Sequence, residues 1–328
     1  MNVRLFLTFA VLTGSLLLAA CSTKVASAVR VPQIAASVTA ADDVGAPAPT
    51  DPSVLPPLPA GDVVKVNLVL LDKTLEIAPG IKYRTWTFNG TLPGPVIHAK
   101  VGQTIDVTLT NKSGMGHSID FHSALAPPDV AYQTIPPGES IHYSWVAKYP
   151  GVFLYHCGTP PVLMHISNGM YGAVVVDPKD GWPGGNVQSY VLVQSEFYTR
   201  PVPGLRDVYQ GDMEKARRAM PDYVEWNGSA MQYMRKPLPI SVNQPVHLFV
   251  VNAGPSHFSA FHVIGTIFDR AWTGGNPDNE LHGLQTMSIA PGDGALVEFT
   301  VAQSGRYPFV THSFGDADLG AMGAFIAK

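Results

Sequence analysis

From Val63 onward, apolar and polar residues alternate in short runs separated by Gly and Pro. VVKVNLVLL (63–71), KYRTWTF (82–88), TIDVTLTN (104–111), SIHYSWV (140–146), VFLYHC (152–157) and GAVVVD (172–177) are such runs. Their period of two and their β-branched and aromatic content predict strands. The pattern then recurs. IDVTLTN, HSIDFH, PPGESIHYSWVAKYPG and GMYGAVVVD in the first half are answered by VHLFVVN, HFSAFH, APGDGALVEFTVAQSG and GAMGAFIA in the second. His117 and His122 share the spacing of His257 and His262, and Gly138 to Gly151 that of Gly292 to Gly305. Two sandwiches of one fold are therefore expected, residues 61–178 and 179–328, joined near 177–186. One segment breaks the pattern. DMEKARRAM (212–220) has an acidic start and Ala/Arg/Met content, and reads as one short helix in the second half.

The region before Val63 behaves differently. Residues 1–21, MNVRLFLTFAVLTGSLLLAAC, place Arg4 ahead of an apolar run too short for a comfortable membrane span, the layout of a secretory signal. Leu18-Ala19-Ala20-Cys21 resembles a bacterial lipobox, which makes Cys21 the lipidated first residue of the mature chain; an ordinary signal cut after a small residue is the alternative. Ser22 after the Cys resembles lipoproteins sent on to an outer membrane, facing the periplasm or the cell surface. Residues 22–60 are mostly Ala, Pro, Ser, Thr and Val, and are expected to form a disordered spacer.

Composition narrows the class. The chain has 328 residues, only 14% of them charged, with 29 Pro and 31 Gly. That is room for two cores and favours an all-β protein of short strands. A formal charge of −4 carries no basic surplus, so nucleic acid is not an indicated partner. If Cys21 is lipidated, the other cysteine, Cys157, stands alone in an oxidising compartment, as a liability or as a metal ligand.

Its neighbours favour the ligand. The stretch 155–171, YHCGTPPVLMHISNGMY, offers the Cys157 thiolate, the His165 imidazole and the Met170 thioether, and His117 upstream completes a set. Two His, one Cys and a weak axial Met are what a blue-copper centre requires: the sulfurs suit Cu(I), the imidazoles Cu(II). Met164, beside His165, is the rival for the axial position. In the second half, Thr311 and Ala321 occupy the places of Cys157 and Met170, so that half cannot hold such a site. Each half has the size and strand count of a cupredoxin-like Greek-key domain.

Blue-copper ligands in the first of two such domains, with a partnered His in each half, resemble the copper nitrite reductases over nearly the whole chain from Val63. FNGTLPGPVIHAKVGQ is similar to that family's first-domain opening, HSIDFH to its HxxDxH element, SAFHVIG to its catalytic-His element and RYPFVTHSF to its last ligand element. The short Cys-to-His loop is like that of the class including outer-membrane lipoproteins. The resemblance implies a type 1 copper on His117, Cys157, His165 and Met170. It implies a type 2 copper on His122, His156 and, from a neighbouring subunit of a homotrimer, His312. It makes Asp120 and His262 the catalytic pair and Ile264 the apolar residue over the substrate. The implied reaction is one-electron reduction of nitrite to nitric oxide, the chemistry of denitrification. The electron would come from a periplasmic donor, a small cupredoxin or a c-type cytochrome. His165, in its Pro-rich loop, is expected nearest the surface, with TPPVLMH as the donor's docking patch.

Two rivals remain. A two-domain multicopper oxidase needs a trinuclear cluster fed by His-x-His pairs, and the sequence has none. A non-catalytic blue-copper carrier would have no use for His122, His156, His312, Asp120 and His262. His98, His142, His247 and His282 lie outside the ligand spacings and are read as structural or surface residues; His257 is intermediate, with a supporting role near the site.

Overall fold

The computed structural model describes residues 37–40, 51–185 and 187–328. The expected signal peptide and lipidation site at Cys21 lie outside the described residues, as does most of the expected spacer.

The predicted strands form, and they stack as two sandwiches. In the first, a seven-stranded sheet built around Val63–Ala78, Ile81–Phe88, Thr104–Asn111 and Glu139–Val146 faces a four-stranded one of Ile97–Lys100, Tyr171–Asp177, Gly151–His156 and Asp120–Phe121. Strand alternation does the packing. Ile105, Val107 and Leu109, with Ile141, Tyr143 and Trp145, point into the core, while His142 and Val146 point out. In the second sandwich a six-stranded sheet centred on Pro245–Gly254 and Gly294–Thr300 faces a five-stranded one containing Ser259–Val263 and Gly305–Thr311.

A third apolar layer joins the two. Tyr171–Asp177 is buried on both faces: Val174 and Val176 enter the first core, while Tyr171, Ala173 and Val175 meet Val191, Val193, Phe249, Val251 and Trp272 of the second sandwich. A strand buried on both sides reads as a continuous apolar run, as GAVVVD does.

Three features depart from the sequence expectation. The expected spacer ends earlier than residue 60. Residues 37–40 pair antiparallel with Glu139–Val146, and residues 51–60 form a strap over both sandwiches. The Ser53 carbonyl accepts from the Val191 amide, and Pro56 and Pro59 carbonyls bond the side chains of His98 and Gln103. Prolines there donate no amide, and their carbonyls are read by distant side chains, so composition alone does not show the anchoring. The boundary near residue 178 is also not where the sheets divide. Thr199–Pro201 and Val208–Gly211 return to extend the first sandwich's large sheet, with Val208 beside Lys82.

Helices are the third difference. The expected one forms at Met213–Arg217, capped by the Asp212 carboxylate on the Glu214 and Lys215 amides. Four further short helices accompany it among the described residues: Pro128–Ala131, Val162–Ser167, Gln232–Arg235 and Phe314–Asp318. Each is too short to show a helical period in sequence.

One carboxylate lies deep in the interdomain layer. Glu225, on Tyr223–Trp226, accepts from the Ser195 and Tyr171 hydroxyls and the Gly228 amide. Burial pushes its carboxyl up to about 7 from an ordinary 4.5, against the downward pull of those donors. The folded protein therefore holds this proton more tightly than the unfolded chain. Its contribution to stability is full below pH 4.5 and is lost as pH rises through about 7, by on the order of 3 kcal/mol. Denaturant titrations across that window should show this loss in the wild type, and Glu225→Gln should flatten it. A wild-type slope unchanged by the substitution would remove Glu225 as its source.

Candidate metal centres

Two clusters of metal-ligating side chains occur among the described residues: His117 with Cys157 and His165, and His122 with His156 and Asp120. One structural fact creates both. Successive residues of an extended chain point to opposite faces, and His156 and Cys157 are successive. In HSIDFH, His117, Ile119 and Phe121 turn toward the first core while Asp120 and His122 turn away. Asp120 pairs directly with His156 across the strands, and the His122 amide bonds the Leu154 carbonyl. The spacing of five between His117 and His122 thus serves two sites on two faces.

The inner cluster is fully buried. The Nδ1 atoms of His117 and His165 face each other at 3.0 Å, and Cys157 Sγ lies 3.2 Å from His165 Nδ1 and 3.9 Å from His117 Nδ1. Burial holds His117 down to about 3 and His165 to about 4, the nearby His165 adding to the shift at His117. Both imidazoles are therefore neutral near pH 7 and offer lone pairs. Burial also pushes the Cys157 thiol up, while donors at Ser118 and Thr159 pull it down. The distal Nε2 atoms of both histidines are buried without a hydrogen-bond partner, a cost that coordination at Nδ1 would offset. Two imidazoles and a thiol suit a soft metal ion.

Met170 shares the core with Cys157, its carbonyl accepting from the Cys157 amide at 3.1 Å, whereas Met164 is half-buried on the helix Val162–Ser167. That helix covers His165, which is 0% exposed, as is His117. The loop thus folds over its ligand, and neither imidazole reaches solvent. Sequence reading also missed Trp86, whose ring packs on both His117 (5.4 Å) and His165 (5.0 Å). Its contact spans the sandwich, and only its alternation in KYRTWTF pointed it inward.

The outer cluster is half open. His122 and His156 bring their Nε2 atoms to 3.1 Å, with Asp120 Oδ2 3.8 Å from His156 Nε2. Each Nδ1 donates to a backbone carbonyl, His122 to Gly292 and His156 to Cys157, both at 2.9 Å. These bonds fix the tautomer so that both Nε2 lone pairs point at one place, the arrangement that orients metal-bound histidines. Burial lowers the His156 pKa, the nearby His122 adding to it, while the Cys157 carbonyl and Asp120 raise it. Gly292 belongs to the second sandwich, so that domain helps to set a first-domain imidazole.

His262 and His312 stand together elsewhere, ring centroids 5.2 Å apart, and are not part of the His122–His156 cluster. His262 lies on Ser259–Val263 and donates from Nδ1 to the Gln285 carbonyl; the His312 amide bonds the Ala260 carbonyl. His312 is exposed, as are Ile264 two residues past His262 and Phe314, whose ring meets His312 at 5.0 Å.

The second sandwich keeps the frame of a metal site without its chemistry. The Thr311 amide bonds the Ala321 carbonyl, and the Ala321 amide the Asp316 carbonyl, repeating Cys157 to Met170 and Met170 to His165. Asp316 therefore stands where His165 does, and Ser259, paired with Ile289 as His117 is with Ile135, stands in the place of His117; Asp316 forms an ion pair with His257 at 2.8 Å. That pair, with the Ala219 carbonyl on His257 Nε2, is the role of His257. His98, His142, His247 and His282 each bond a carboxylate: Asp177, Asp106, Glu298 and Glu280.

The fold and the two clusters define a two-domain cupredoxin-like metalloprotein, and residues 71–181 match the family model described as multicopper oxidase. The copper-containing nitrite reductase of Neisseria gonorrhoeae is 38% identical over 266 residues, covering 79% of this chain and 67% of the relative. That of Alcaligenes faecalis is 29% identical, over 80% of this chain and 75% of the relative. Among solved structures, the copper nitrite reductase of Nitrosomonas europaea aligns with a TM-score of 0.75 at 34% identity, covering 81% of this chain and 94% of that one. A multicopper oxidase aligns at 0.71 and 27% identity, over 81% and 89%. The chain belongs to the copper-containing nitrite reductase family.

Removing the thiol should separate the two clusters. Cys157→Ser is expected to lose the intense visible absorption of copper-loaded protein and one copper per chain, leaving the other bound. Metal analysis showing both ions retained would contradict the inner assignment.

Proposed function

We propose that this chain reduces nitrite to nitric oxide and water with one electron and two protons. Its inner copper, of type 1, is held by His117, Cys157, His165 and Met170. Its outer copper, of type 2, is held by His122 and His156 with His312 of a neighbouring chain in a homotrimer. The observation that carries the reading is the adjacency of His156 and Cys157, which joins the two clusters through one peptide. Bound copper supplies the redox step and, at the outer site, Lewis acidity toward a nitrite oxygen.

The chain's own residues supply position and protons. Asp120, part-exposed and 3.8 Å from His156, faces the open side where an anion would enter. There its carboxyl can hydrogen-bond nitrite and hand over a proton. His262, its Nδ1–H committed to Gln285, leaves Nε2 to carry the second proton. Ile264 closes the pocket with an apolar side chain. Geometry within one chain supports a site shared between chains. His122 and His156 face outward with too few partners, and His262 and His312 form a second outward pair beside exposed Ile264 and Phe314.

A multicopper oxidase reading lacks the His-x-His pairs it needs. A small cupredoxin or c-type cytochrome in the periplasm would deliver the electron. The LAAC motif supports an exported lipoprotein anchored through Cys21 in the outer membrane.

Anaerobic nitric oxide production with a reduced dye tests the mechanism. Asp120→Asn should lower kcat about 10²-fold or more with the visible spectrum intact. His312→Ala should abolish turnover and one copper per chain. Unchanged rates in both variants would contradict the mechanism. For the anchor, Cys21→Ala should move the protein from the membrane fraction to the soluble periplasm; unchanged fractionation would argue for an ordinary cleaved signal or another attachment.

A further inference from the structure

Tyr171 follows Met170 directly and pairs across the strands with His156. Strand alternation sends the two side chains apart: Met170 into the first core beside Cys157, Tyr171 into the layer between the sandwiches. There its hydroxyl meets Ser195 Oγ, and lies 3.3 Å from Glu225 Oε1, which Ser195 also bonds. Ser195 and Glu225 sit opposite each other on neighbouring strands of the second sandwich, and the Gly228 amide holds the other carboxylate oxygen. All three side chains are at most 1% exposed.

The backbone on either side of Tyr171 is tied down as well. Its carbonyl accepts from Gly94, its amide donates to Gly169, and Met170 is bonded to both Cys157 and His165. Gly169 and Gly228, both at positive φ, leave no room for a Cβ because Leu92 fills the space between them. The segment carrying Met170 is thus gripped from the second domain at one residue's distance.

We propose that Tyr171, anchored by Ser195 and Glu225 across the domain boundary, is a positioning residue for the type 1 centre, setting how closely the Met170 thioether approaches the metal. This rests on the type 1 assignment of His117, Cys157, His165 and Met170. The axial ligand tunes the potential of such a centre, so the second domain, which binds no type 1 copper, tunes the first domain's redox step through a buried hydrogen-bond chain. The Tyr171 ring also packs, but packing alone does not require its hydroxyl.

The visible spectrum and midpoint potential of copper-loaded protein test this without reference to turnover. Tyr171→Phe, which keeps the ring, and Glu225→Ala should each change the ratio of the thiolate-to-copper bands and shift the potential. Glu225→Gln, which keeps an oxygen for Ser195, should fall closer to the wild type. Val175→Ala trims the same interdomain layer without touching the chain of hydroxyls, and should leave both readouts in place. Spectra and potentials of Tyr171→Phe and Glu225→Ala that superimpose on the wild type overturn the proposal, as does an equal change in Val175→Ala. A wild type lacking any thiolate-to-copper band overturns the type 1 assignment and this inference with it.

Discussion

The two-residue period of an extended strand is the constraint on which this protein depends. At the end of Gly151–His156 it turns His156 toward one face and Cys157 toward the other. The same period, running through HSIDFH, delivers His117 to the inner face and Asp120 and His122 to the outer. A one-residue slip in the pairing of Asp120 with His156 would exchange the faces and dismantle both clusters at once. Register is therefore under strong control, and Ile119, Phe121 and Tyr155 supply it by burying their side chains in the first core.

The second domain lacks the first domain's inner ligand set and performs two supporting tasks. Where the first domain has His117 and His165, the second has Ser259 and Asp316 on the same backbone frame, and Asp316 is paired with His257. A half-buried ion pair needs no metal, so the frame survives as structure. The domain also reaches back: the Gly292 carbonyl orients His122, and Glu225 with Ser195 holds Tyr171. Truncating one of the large apolar side chains between the sandwiches, such as Trp272, would cost about 3–5 kcal/mol.

Much of this was legible in sequence because it is periodic or local. Strands with alternating runs, the internal repeat, the helix at 213–217 and the Cys157–His165–Met170 spacing all express short-range rules. What was not legible depends on distant partners. Trp86 meets the inner histidines only after the sandwich closes. The strap at 51–60 looks disordered until the side chains of His98 and Gln103 reach its carbonyls. The burial of His165 depends on a six-residue helix with no period of its own. Family resemblance placed His312 with the outer site, whereas one chain by itself leaves it beside His262.

Anomalous diffraction at the copper edge from crystals of copper-loaded protein addresses the central claim most directly. Two peaks per chain are predicted, one among His117, Cys157 and His165, the other joining His122 and His156 to His312 of a neighbouring molecule. A single peak per chain, or a second ion ligated by one chain alone, would contradict the account.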